Sequence, residues 1–139
     1  MYNYITASKS SGNAVRRDKS MHDRNVVLLV EDEQRILRFM SISLKAAGYR
    51  VITATSGEKG LDLVQSEKPD IVLLDIFLPG MSGLEALRKL RTYSHLPVIV
   101  ISAGDSIGTE ALALGANAFI AKPFKPDQLV RRMKAILGK

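Results

Sequence analysis

Three carboxylates, a hydroxyl and an ammonium stand at the ends of four separate apolar runs. Glu31 and Asp32 follow NVVLLV (25–30), Asp75 closes DIVLLD (70–75), Ser102 closes PVIVIS (97–102), and Lys122 follows AFIA (118–121) with Pro123 behind it. An ionised carboxylate at the end of a run as apolar as IVLL is costly unless something compensates it. Brought together, Glu31, Asp32 and Asp75 would repel one another and raise one another's pKa. A bound divalent cation resolves that conflict, and oxygen-only donors without His or Cys favour Mg²⁺, with Mn²⁺ as a substitute. Ser102 and Lys122 extend the set toward phosphoryl transfer. The ammonium can pair with Asp75 at rest and then follow the charge to a phosphate oxygen, with Asp75 as nucleophile. Singly, each residue has a duller explanation as a helix cap, a turn residue or a loop residue. Their joint placement at the ends of strands one, three, four and five outweighs those explanations.

The elements that must hold these residues follow from periodicity. NVVLLV is a short strand, and Ile36, Leu37, Met40 and Leu44 then recur at helical spacing until Gly48. RVITA (50–54) is a second strand. Thr55-x-x-Glu58 has the form of a capping box ahead of a helix carrying Leu61 and Val64. DIVLLD is the third strand, and Ser82-x-x-Glu85 caps a third helix through Arg91 with Leu84, Leu87 and Leu90 on its inner face. PVIVIS is the fourth strand. A short fourth helix through ALAL (111–114) ends at Gly115, and AFIA is the fifth strand. Pro126 suits the first turn of a last helix, which carries Leu129, Met133, Ile136 and Leu137. Five strands alternating with five helices imply βαβ units and a parallel sheet covered on both faces. With strand order 2-1-3-4-5, strands one and three meet at the switch point, where Glu31, Asp32 and Asp75 converge.

The 139 residues suit one domain with a genuine core. No apolar run approaches the ~20 residues of a membrane span, and the N-terminus lacks the apolar region of a signal peptide. With no cysteine there is neither a disulfide framework nor a thiolate metal site. A cytoplasmic protein without membrane partners is the expectation. Residues 1–24 hold five Lys/Arg and two Asp, half of the net charge of +6. Polar and aperiodic, they read as a disordered leader, with Met21 available as an internal start. Elsewhere the basic excess gathers at Lys125, Arg131, Arg132, Lys134 and Lys139, which suits a solvated face at the negative end of the last helix. Without a recognition helix or an aromatic RNA-binding stretch, direct nucleic-acid binding is not expected. The last helix reaches the end of the sequence, so one domain over 25–139 is the reading. An effector following it in a longer protein could bind DNA.

The stretches LLVEDE (28–33), LLDIFLPGMSG (73–83), VISA (100–103) and GANAFIAKPF (115–124) together resemble the receiver domain of response regulators, the phosphoacceptor of two-component signalling. The resemblance runs from about Asn25 to Leu137, with its motifs in order on the right elements. It implies a flavodoxin-like (βα)5 fold and a phosphoprotein, not a turnover enzyme, that assists its own phosphorylation and dephosphorylation. Asp75 would take the phosphoryl group from a sensor histidine kinase, a phosphotransfer protein or a small phosphodonor. Asp32 would bind Mg²⁺ directly and Glu31 through water, with Asp75 and the Phe77 carbonyl as further ligands. Ser102 and Lys122 would hold the phosphoryl group, Ser102 and Phe119 would act as the switch, and the Lys122-Pro123 bond would be cis. The output face would be helix 4, strand 5 and helix 5, through which a homodimer can form.

Three departures from the family pattern bear on output. The stretch from Ser102 to Lys122 is about two residues short and ISAGDSIGTEAL holds two glycines, so a short or partly frayed fourth helix is expected. LPGMSG and the basic last helix are similar to the winged-helix transcription-factor branch. Where that branch has paired acids after Gly-Ala, however, Asn117-Ala118 stands here, leaving its dimer salt bridges incomplete. No DNA-binding module is expected within these 139 residues. Beside the site, the large apolar Phe77 and the side-chain-free Gly104 predict slow attack by water on an aspartyl phosphate. Competing readings are a phosphorylation-independent interaction module, an aspartate-nucleophile phosphatase and a nucleotide- or flavin-binding domain. The second needs an acid where Phe77 stands. The third lacks a GxGxxG or P-loop motif.

Overall fold

The computed structural model describes residues 25–138, so the leader expected over 1–24 lies outside the described residues. Along the chain the elements are β1 (Val26–Val30), α1 (Gln34–Ala46), β2 (Arg50–Ala54), α2 (Gly57–Glu67), β3 (Ile71–Asp75), α3 (Gly83–Arg91), β4 (Val98–Ser102), α4 (Asp105–Ala113), β5 (Ala118–Ala121) and α5 (Pro126–Leu137). Every residue of β3 and of β4 is buried. Strands apolar on both faces need cover on both sides, the situation of a parallel sheet flanked by helices. All four strand pairings are parallel, in the order β2-β1-β3-β4-β5. This is the parallel sheet that the alternating pattern implies, in the flavodoxin-like (βα)5 arrangement that the resemblance implies.

Strand alternation divides the core into two layers. Val27, Leu29, Ile71, Leu73, Ile99 and Ile101 meet Leu37, Met40 and Leu44 of α1 and Leu129 and Met133 of α5. On the other face, Leu28, Val30, Val72, Leu74, Val98 and Val100 meet Leu87 and Leu90 of α3 and Ala111 of α4, with Leu61 and Val64 of α2 alongside.

The caps show how local sequence sets the helix starts. Ser82 Oγ accepts from the Glu85 amide at 3.1 Å, as its spacing implies. In α2 the cap lies one residue later than Thr55-x-x-Glu58 suggests: Ser56 Oγ accepts from the Lys59 amide at 3.2 Å. Either neighbouring hydroxyl could cap. Packing decides between them, because the helix presents Gly60 to β1, where a Cβ would lie 3.0 Å from Val30 Cγ2. Helix α4 starts directly after Gly104 and runs nine residues, reaching further back than ALAL alone suggests. No helix among the described residues is long and apolar enough to cross a membrane.

Candidate functional site

β1 and β3 are neighbours whose following helices cover opposite faces, so a crevice opens beyond their carboxyl ends. Glu31 and Asp32 leave β1 there, and Asp75 ends β3. One oxygen of each carboxylate can be chosen so that all three lie within 4.8 Å of one another. Glu31 and Asp75 are buried, at 3% and 5% exposure, whereas Asp32 is open to solvent. Two buried carboxylates and one exposed one, all at a single point, form an all-oxygen donor set that fits a hard divalent cation entering from solvent.

Electrostatics carries the mark of this crowding. Burial pushes the Glu31 carboxyl from its ordinary 4.5 up to about 7, and the Asp75 charge pushes the same way. Opposing them are the Glu33 amide, which donates to Glu31 Oε2 at 3.1 Å, and the Lys122 ammonium. Lys122 Nζ lies 3.4 Å from Asp75 Oδ2 and 3.6 Å from Glu31 Oε1, so one cation bridges both buried acids. Glu31 does not cap α1: the N-cap is Glu33, the helix has no side-chain cap bond, and the Glu31 carboxylate accepts from the Glu33 amide one step before the helix.

β4 and β5 bring the remaining groups. Ser102 is fully buried, and its carbonyl accepts from the Lys122 amide at 2.8 Å, tying the ends of the two strands together. Its hydroxyl accepts a long 3.4 Å bond from the Gly104 amide. The Lys122-Pro123 bond is cis. Phe77 donates its amide to Asp75 Oδ1 at 3.3 Å and leaves its ring 64% exposed at the rim. Phe119 is the one candidate that stands away from the carboxylates. Its ring is partly buried against the core layer that α3 and α4 cover, next to Gly108 of α4.

Two features escape a reading of local sequence. Gly83 opens α3 with its amide donating to the Ile76 carbonyl at 2.8 Å. A Cβ there would fall on the Asp75 carbonyl oxygen and lie 2.7 Å from Ile76 Cα, so only glycine lets α3 start against the strand that carries Asp75. Asn117 is used inside the fold: its Oδ1 accepts from the Val98 amide at 2.9 Å and from Arg91 at 3.1 Å. A surface groove of about 560 Å³ between α2 and α3, lined by Asp62, Lys89 and Tyr93 among others, contains none of the acidic cluster.

A doubly wound α/β domain with a crowded acidic crevice at its switch point is a recognisable class. A family model described as the response regulator receiver domain matches residues 27–134. The chain belongs to that family, the receiver domains of two-component systems. It is 42% identical over 118 residues to the uncharacterized transcriptional regulatory protein YkoG of Bacillus subtilis, a match covering 83% of this chain. The match covers 52% of that relative, so the chain spans about half its length. Among solved structures, a CheY-like receiver domain protein of Methanospirillum hungatei is 30% identical with a TM-score of 0.77, covering 83% of this chain and 94% of that one. The BeF3-activated N-terminal receiver domain of Klebsiella pneumoniae RstA is 29% identical with a TM-score of 0.79, covering 83% of this chain and all of that one.

Proposed function

We propose that Asp75 accepts a phosphoryl group from a sensor histidine kinase, a phosphotransfer protein or a small acyl phosphate. The observation that carries this reading is the position of Asp75. It is a carboxylate held at the end of a buried strand, amid Glu31 and Asp32 and 3.4 Å from an ammonium. In the reaction an Asp75 oxygen forms the new bond to phosphorus as the bond to the donor nitrogen or oxygen breaks, and the leaving group keeps that electron pair.

Mg²⁺, or Mn²⁺, held by Glu31, Asp32, Asp75 and the Phe77 carbonyl, would supply positive charge against the carboxylates and the phosphoryl oxygens. Lys122 releases Asp75 and pairs with a phosphoryl oxygen, and the Ser102 hydroxyl donates to another. The exposed Phe77 ring at the rim shields the product from water. The receiver unit spans 25–139. Its output runs through Ser102 and Phe119 to the face built by α4, β5 and α5, where the exposed Leu112 offers apolar surface to a second copy or another protein. YkoG is a transcriptional regulatory protein. By that likeness, a longer protein containing this chain would place a DNA-binding effector after it, and this domain itself would make no nucleic-acid contact.

Intact mass spectrometry after treatment with acetyl phosphate tests the reading. The expected result is one added phosphoryl group that requires Mg²⁺ and is lost in Asp75→Asn. No addition to the unmodified chain would overturn it.

A further inference from the structure

Residues 76–82 join β3 to α3 and follow Asp75 directly. The segment is pinned at its base, because the Gly83 amide donates to the Ile76 carbonyl at 2.8 Å. Above that base, its position depends on the side chains it turns inward. Phe77, Pro79 and Gly80 are exposed, whereas Leu78, Met81 and Ser82 are half-buried. Leu78 packs on the core layer that α3 covers, and Ser82 is taken up in capping α3. Met81 reaches sideways to α2.

That contact is made with no side chain between. Gly57 opens α2 and is buried. A Cβ there would lie 3.3 Å from the Met81 carbonyl oxygen, and 3.4 Å from both Met81 Sδ and Ala86 Cβ. The thioether therefore rests against the bare Gly57 and the Ala86 methyl, an apolar seat that suits a polarisable sulfur. Gly57 and Ala86 are also walls of a small cavity under α2 whose other lining residues, Val30, Leu74 and Leu90 among them, are all apolar.

The sulfur is where this seat can be changed chemically. Among the described residues, Met40 and Met133 are 4% and 0% exposed, so Met81 is the one methionine there open to an oxidant in solvent. Oxidation to the sulfoxide turns an apolar group into a polar one. Neither the Gly57 α-carbon nor the Ala86 methyl offers the new oxygen an N–H or O–H donor, and a buried acceptor without one is costly. The sulfoxide turns to water and gives up the seat.

We propose that Met81 is an oxidation site for hydrogen peroxide, at which the sulfoxide releases loop 77–82 from α2 and slows phosphorylation of Asp75. A lone pair on Sδ attacks one peroxide oxygen as the O–O bond breaks. The departing oxygen keeps the bonding pair, takes the proton of the transferred oxygen and leaves as water. Sulfur gives up two electrons and the peroxide takes them. The link to phosphorylation runs through Phe77, which lies in the same loop and donates its amide to Asp75 Oδ1 at 3.3 Å. That link rests on the phosphoacceptor reading, whereas the modification does not.

The test treats the full chain with graded hydrogen peroxide and maps methionine sulfoxide by peptide mass spectrometry. Sulfoxide is expected at Met81 before Met40 or Met133. Oxidation is expected to lower the urea midpoint of the parent chain but not of Met81→Leu, which fills the same seat and cannot be oxidised there. Phosphorylation by acetyl phosphate with Mg²⁺ is expected to be several-fold slower in the oxidised parent, unchanged in treated Met81→Leu, and restored by methionine sulfoxide reductase. Should Met81→Leu fail to fold, that reversal together with the peptide map carries the assignment. Sulfoxide at Met40 or Met133 ahead of Met81, or an equal loss of midpoint in Met81→Leu, would overturn the site. Equal phosphorylation rates before and after complete oxidation of Met81 would overturn its link to Asp75. A parent chain that takes no phosphoryl group even untreated would overturn the phosphoacceptor reading, while a midpoint lowered by oxidation in the parent alone would still uphold the modification at Met81.

Discussion

Replacing Glu31 with glutamine tests the electrostatics of the site through stability alone. The folded protein holds the Glu31 proton up to about pH 7, against an ordinary 4.5, chiefly because the carboxyl is buried. A group whose folded pKa is raised binds its proton more tightly in the native state. Its contribution is therefore fully present below 4.5 and is lost as pH rises through about 7. At 1.36 kcal/mol per pH unit the gap corresponds to roughly 3 kcal/mol. In metal-free buffer the parent chain should thus gain about 2–3 kcal/mol from this group between pH 8 and pH 5. Glu31→Gln keeps the shape and an oxygen for the Glu33 amide but cannot titrate. It should be the more stable chain at pH 8 by up to roughly 3 kcal/mol, and the two should converge toward pH 5. With m values of ~1–3 kcal/mol/M, the separation at pH 8 is about 1–3 M in urea midpoint. Mg²⁺ opposes the trend, since it binds the carboxylate and should stabilise the parent chain most at high pH. Parallel curves for the two chains from pH 5 to 8 without metal would refute the reasoning.

Other substitutions probe separate parts of the account. Gly83→Ala should cost about 3 kcal/mol, the upper end for an inserted methyl, because that methyl meets backbone on β3 and not a yielding side chain, and urea denaturation reads the loss. Asn117→Ala leaves the Val98 amide without its partner and frees one arm of Arg91. A loss of about 1–2 kcal/mol in the same assay is expected. Phe77→Asn removes an exposed ring, so stability should stay within ~0.5 kcal/mol. Phosphate release after chemical phosphorylation should nevertheless speed up, and equal half-lives would count against shielding by Phe77.

Much of the architecture was legible because it follows from short-range patterns. Apolar runs that end in a single acid or hydroxyl located the strands and the residues they deliver to the crevice. Ser82 with Glu85 located the start of α3. The pattern failed by one residue at Thr55 and Ser56, where two adjacent hydroxyls were equally able to cap and the packing of Gly60 on Val30 decided. The missed features are contacts between elements. Gly83 and Gly108 look like ordinary punctuation until the backbone and the ring that occupy their missing side chains are in place. Asn117 read as an absent acid on a dimer face, whereas its partners, Val98 and Arg91, lie 19 and 26 residues away in the chain. The second ion pair of Lys122, to Glu31 at 3.6 Å, likewise depends on its long side chain reaching from beyond the end of β5, across the ends of β4 and β3, to the end of β1.

The central claim concerns one oxygen-bearing side chain among three, and reductive trapping addresses it directly. The chain is phosphorylated with acetyl phosphate and Mg²⁺, treated with borodeuteride to convert the acyl phosphate to a labelled alcohol, and mapped by peptide mass spectrometry. The account expects the label at Asp75 alone, with none in Asp75→Asn. Label on Glu31 or Asp32, or its persistence in Asp75→Asn, would contradict it.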